Sequence, residues 1–147
     1  MSGLARLLAG NVEPGVYHWT TASDRAMIEH AVERAGWRFV CLDTWQVEDK
    51  AAFLSACRDA FGIEDLSEHD FDGLGDALND VLPGDAVGFV VLWDGWAPFA
   101  RADSLAFEVA VDIFDARVDA ERVGAFAVLL KGPGPQTDVP ELDPRHV

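Results

Sequence analysis

A chain of 147 residues, half of them hydrophobic and a quarter charged, is long enough for one domain with a proper core and too short for two. Its formal charge of −15 and pI near 4.3 argue against nucleic acid or an anionic membrane as a partner, since both need clustered Lys and Arg; a basic protein or a cation fits better. Cys41 and Cys57 lack metal-ligand spacing, no span approaches transmembrane length, and the N-terminus does not read as a signal peptide, so the expectation is a reduced, cytoplasmic protein with buried thiols.

Residues 1–14 form a weakly patterned lead-in ending at Pro14 and Gly15, followed by the strand-like run GVYHW. Thr21, with Asp24 three residues on, predicts a capping box for a helix over Ser23 to Ala35, with Met27, Ala31 and Ile28 inward and Gly36 as its stop. WRFVCLD, Trp37 to Asp43, is rich in aromatic and β-branched residues and predicts a strand. A second helix from about Glu48 to Phe61 carries Phe53, Leu54, Cys57 and Phe61 at helical spacing, with Gly62 at its end.

An acidic segment closed by Pro83 and Gly84 comes next. After it, AVGFVVLW is a nearly continuous apolar run, the pattern of a strand covered on both faces. WAPFARA makes a short helical turn, and Asp103 starts a helix to about Arg122 carrying Leu105, Phe107, Val109, Ile113 and Phe114. AFAVLL, Ala125 to Leu130, is the last strand, and residues 132–147 form a proline-rich tail with little regular structure expected. Strands alternating with helices imply a small parallel sheet with right-handed crossovers, in one domain over residues 15–131. Trp37 and Trp93 read as core; Trp19, Trp45 and Trp96 lie at strand ends or turns, where partial exposure is expected, and Trp45 could pad an interface.

The acidic segment SEHDFDGLGDALND, Ser67 to Asp80, superficially resembles a calcium loop. Counting from Asp70, however, position five is Leu74 and position twelve is Val81, where an EF-hand loop needs oxygen ligands. As a helix the segment is coherent: Phe71, Leu74, Leu78 and Val81 form an apolar stripe, while Asp72, Asp76 and Asp80 recur at four-residue steps on another face. Like charges one turn apart, together with Gly73 and Gly75, oppose helix stability, and no Lys or Arg lies between Arg58 and Arg101. Such a face is either simply solvated or suited to a basic cleft.

Asp49 to Leu78, DKAAFLSACRDAFGIEDLSEHDFDGLGDAL, resembles the barstar family of small intracellular ribonuclease inhibitors, particularly its longer actinobacterial-type members. In that family a helix ending in FGxP leads through a Tyr- and Gly-containing loop into an NxDALxDCL helix. Asp70 takes the Asn position, Asp72 the first Asp and Asp76 the second, while Leu74 keeps the Leu. VVLWDGWAPFARADSLAFEVAVDIF and FAVLLKGPGP are also similar to those longer relatives. The resemblance implies a three-layer α/β fold with a parallel sheet of about three strands. It further implies an inhibitory helix in which Asp76, supported by Asp72, mimics a phosphate in the basic active site of a secreted ribonuclease; Asp80 continues the acidic row, and Glu68, Asp70 and Trp45 are expected as further contacts on the strength of their own charge and position. The expected protein is a monomer forming a 1:1 complex, with no catalytic residues, cofactor or metal.

Two departures bear on specificity. The loop aromatics of the family are replaced by Leu66, Ser67 and Glu68, and Glu68 and Asp70 add charge where Gly and Asn are usual. Asp115 and Ala116 fall where one family member presents a further acid on its later helix. An immunity or interaction module for a different basic effector is therefore the alternative reading. An enzyme is not expected: the four histidines are scattered, and neither Ser55 nor Cys57 has a base placed by a recognisable motif. GPGP, Gly132 to Pro135, lacks the lysine and following helix of a phosphate loop.

Overall fold

The computed structural model describes residues 3–63, 71–120 and 124–142. The elements run α1 (Gly3–Leu8), β1 (Val16–Trp19), α2 (Arg25–Arg34), β2 (Arg38–Asp43), α3 (Lys50–Phe61), α4 (Phe71–Asp80), β3 (Gly88–Asp94), α5 (Trp96–Ala102), α6 (Ser104–Asp119) and β4 (Ala125–Lys131). The strands form one parallel sheet in the order β1-β4-β3-β2. That is four strands rather than about three, because VYHW pairs with β4 and extends the sheet by one.

Side-chain alternation along the two central strands builds the layers. Phe89, Val91 and Trp93 of β3, with Phe126, Val128 and Leu130 of β4, face a core shared with α3, α4, α5 and α6. Val90, Leu92, Ala127 and Leu129 face the opposite side, against α1 and α2. A strand covered on both faces must be apolar at every position, which is why these two runs read as continuous. The larger core is aromatic: Phe53 stacks on Phe99 with ring centroids 4.9 Å apart, and Trp93 meets Phe107 and Phe114.

Several expectations need correction. Residues 1–14 are not merely a lead-in, because α1 buries Leu4 and Leu7 against the second core. In α2 the N-cap is Asp24 alone, accepting a hydrogen bond from the Met27 amide at 2.9 Å. That start turns Ile28 and Val32 inward and leaves Met27 and Ala31 exposed. Trp19 and Trp96 are buried, not partly exposed; the Trp96 indole donates to the Gly132 carbonyl and its ring stacks on Phe107. On α6, Phe107 and Phe114 are buried but Leu105 and Val109 face solvent.

The tail returns along the outer edge of β1. The His18 amide donates to the Pro140 carbonyl at 2.8 Å, the Leu142 amide donates to the His18 carbonyl at 2.9 Å, and Leu142 is buried. The His18 imidazole is held at both nitrogens, 2.6 Å from Glu141 Oε1 and 2.6 Å from the Gly132 carbonyl oxygen. This short bridge covers an edge that would otherwise offer unpaired backbone groups.

Candidate functional site

The acidic helix α4 is fixed at both ends by residues outside it. At its start, Phe71 packs on Phe53, with ring centroids 6.1 Å apart, and the Lys50 ammonium lies 5.1 Å from the Phe71 ring centroid. Leu74 and Leu78 are fully buried, one turn apart, and set the rotation of the helix. That rotation leaves Asp72, Asp76 and Asp80 exposed on one side.

The end of α4 has no basic residue in its last turn. The cation comes from α6 instead. Arg117, only 2% exposed, donates from Nε to the Leu78 carbonyl at 3.0 Å and from Nη1 to the Gly124 carbonyl at 3.0 Å, with its guanidinium carbon 4.9 Å from the Phe126 ring centroid. A positive charge at a helix C-terminus interacts favourably with the helix dipole. Burial also strips the guanidinium of water and lowers its pKa from the ordinary arginine value.

Arg117 therefore supplies the support for α4 that its own segment lacks. Sequence reading missed it because the partner lies 39 positions away from Leu78. The available signal was an arginine three residues after Phe114, on the buried side of an amphipathic helix.

Among the described residues, no cation comes within ion-pair distance of Asp72, Asp76 or Asp80; the ion pairs there are His18 with Glu141 and Arg58 with Asp59. Beside the acidic row, a groove of about 360 Å³ runs between α4 and α6, lined by Phe71, Asp72, Gly75, Asp76 and Asn79 on one side and Ile113, Ala116 and Arg117 on the other. The exposed carboxylates of Asp72 and Asp76 and the apolar groups of Ile113 and Ala116 suit a basic side chain with an aliphatic stem, while the Arg117 guanidinium beside them is buried and turned to the Leu78 and Gly124 carbonyls.

Trp45 sits in the turn between β2 and α3 and is 57% exposed. A buried network holds it there: the Trp93 indole donates to Thr44 Oγ1 at 2.8 Å, and Thr44 Oγ1 donates to the Gly95 carbonyl at 2.8 Å. Gly95 adopts φ +73°, and a Cβ there would lie 2.5 Å from the Trp45 ring, so glycine is what lets the indole rest on this turn. Trp45 belongs to a different element from the three aspartates and is not part of their row. Glu68, Asp70 and the Leu66-Ser67-Glu68 replacement lie outside the described residues.

Ala116 lines the groove beside α4, whereas Asp115 faces a second groove under the tail. Loss of hydration there, followed by the charges of Asp112 and Asp119, raises the Asp115 pKa. Both cysteines are free, and burial raises the pKa of each, so neither is an activated nucleophile at neutral pH. Among the described residues no group of three or more His, Cys, Asp or Glu could hold a metal ion, and no helix is long and apolar enough to cross a membrane.

No curated protein and no solved structure matches this chain. The family model described as Barstar (barnase inhibitor) matches residues 37–131, from the residue before β2 to the end of β4. That span contains α4, Arg117 and Trp45, and covers more than half of the chain. The chain belongs to the barstar family.

Proposed function

We propose that this protein inhibits a secreted microbial ribonuclease by inserting α4 into the basic active site of the enzyme. Asp76 takes the place of the scissile phosphate, Asp72 supports it from one turn earlier, and Asp80 continues the row. The observation that carries this reading is a row of exposed carboxylates on a helix anchored at both ends, with no neutralising cation among the described residues. A carboxylate presented to a cluster of Arg forms short, charge-assisted and in part bidentate hydrogen bonds. Because the row is built before the partner arrives, little ordering cost remains at binding.

In this reading Glu68, Asp70 and Trp45 extend the contact. The protein acts as a cytoplasmic monomer in a 1:1 complex, without a catalytic step, cofactor or metal. The replacement of the loop aromatics by Leu66, Ser67 and Glu68 favours a second reading, in which the same acidic helix serves as an immunity or interaction module for a different basic effector.

The test is titration of RNA cleavage by a panel of small microbial ribonucleases with the wild-type protein and Asp76→Ala. Stoichiometric inhibition that falls at least about a hundredfold in the variant is expected, the cost of leaving buried Arg without a partner. Absence of inhibition across the panel transfers the acidic helix to the second reading.

A further inference from the structure

The solvent side of α6 is not uniformly polar. Leu105 is 74% exposed and Val109 41% exposed, Ile113 is half-buried and Ala116 is exposed. These four follow one another at steps of four, four and three residues, so they form one continuous line down the helix, roughly 16 Å long at 1.5 Å per residue. Single exposed apolar residues carry no information. An aligned stripe that runs into the groove beside α4 is a different matter.

Its borders are acidic on both sides. Across the groove stand Asp72 and Asp76 of α4, facing Ile113 and Ala116. On the other side, Glu108, Asp112, Asp115 and Asp119 recur at three- and four-residue steps along α6 and turn toward the groove under the tail. Within this row the Asp115 carboxyl is harder to ionise, first through lost hydration and then through the charges of Asp112 and Asp119. A second copy of the chain is a poor occupant, because an isologous contact would bring acidic rows together. The charge pattern calls for the opposite: an apolar ridge flanked by Lys or Arg.

We propose that the Leu105–Ala116 stripe is the apolar half of the partner-binding face, receiving apolar side chains of the same basic protein that α4 engages. This rests on the basic-partner reading of α4 above. It supplies on α6 the apolar contact that the missing loop aromatics do not.

Two designed helical peptides of equal positive charge test it, one combining Lys with Leu on a single face and the other Lys with Ser, with binding measured by fluorescence anisotropy. The wild-type protein should bind the Lys/Leu peptide about tenfold more tightly than the Lys/Ser peptide, as expected for partial burial of two aliphatic side chains. The Leu105→Ser/Val109→Ser double variant, altered only at exposed positions, should keep its melting temperature and its Lys/Ser affinity but lose the preference. Met27→Ser, at a site 62% exposed on the opposite layer, should retain it. Equal binding of the two peptides by wild type, or an unchanged preference in the double variant, overturns the proposal. The ribonuclease titration decides separately: a retained peptide preference with no enzyme inhibited removes the ribonuclease and leaves the stripe standing.

Discussion

Arg117 joins three parts of the molecule through one side chain: the end of α4, the chain just before β4, and the ring of Phe126. Removing it leaves the buried carbonyl of Leu78 and the half-buried carbonyl of Gly124 without these donors, and it removes the cation from the end of α4. Arg117→Ala should therefore cost about 2–4 kcal/mol, read as a lower urea midpoint at unchanged slope. Arg117→Lys should recover little, since one ammonium cannot span both carbonyls with the planar geometry of the fork. Asp115 behaves in the opposite sense. Its pKa is raised above the ordinary 3.8 by lost hydration and by the charges of Asp112 and Asp119, so the folded chain holds this proton more tightly than the unfolded chain. Stability from that group is present below the ordinary value and is lost as pH rises through the raised one. Asp115→Asn should match the wild-type melting temperature in acid and exceed it at neutral pH; an advantage that does not depend on pH would assign the effect to packing.

At the scale of the element, α4 combines poor local helix chemistry with firm tertiary anchoring. A Cβ added at Gly75 would meet no atom within 4 Å, and the residue lies in ordinary helical backbone, so Gly75→Ala should stabilise the fold by about 0.8–1 kcal/mol in urea unfolding. No gain would mean that the methyl displaces α4 from its seat. The helix was legible in the sequence because the apolar and acidic residues repeat at separate phases of one helical period, and the buried Leu74 and Leu78 with the exposed Asp72, Asp76 and Asp80 agree with that reading. Its anchors were not legible: Lys50 and Arg117 meet α4 only after the chain has folded through other elements. The same distinction explains α2, where local capping chemistry identified the right region but the inward face depended on α1 and the sheet. It also explains Leu105 and Val109, which satisfy the apolar period of α6 yet stand exposed at its surface.

For the molecule as a whole, the alternation of strands and helices was enough to indicate a parallel sheet, because a parallel connection needs a crossover and the chain provides two helices between β2 and β3 and two more between β3 and β4. The contributions of α1 and the tail were less visible, since six residues of helix and one bridged residue carry little pattern and gain their place by burying Leu4, Leu7 and Leu142. Over this fold lies a formal charge of −15. Self-repulsion at that charge opposes the compact state, while the same field attracts a basic partner. Raising salt from about 0.01 M to about 0.15 M shortens the screening length from roughly 30 Å to roughly 8 Å, so the two effects should separate in sign. The isolated protein should melt at a higher temperature in the higher salt, and its complex with a basic partner should form more slowly and bind more weakly. If α4 engages the partner as proposed, Asp76→Ala should reduce the salt sensitivity of binding more than that of melting, because one carboxylate of many changes the global repulsion little but is the proposed principal contact. Equal losses in both measurements would locate the charge effect in the overall field and take it away from α4.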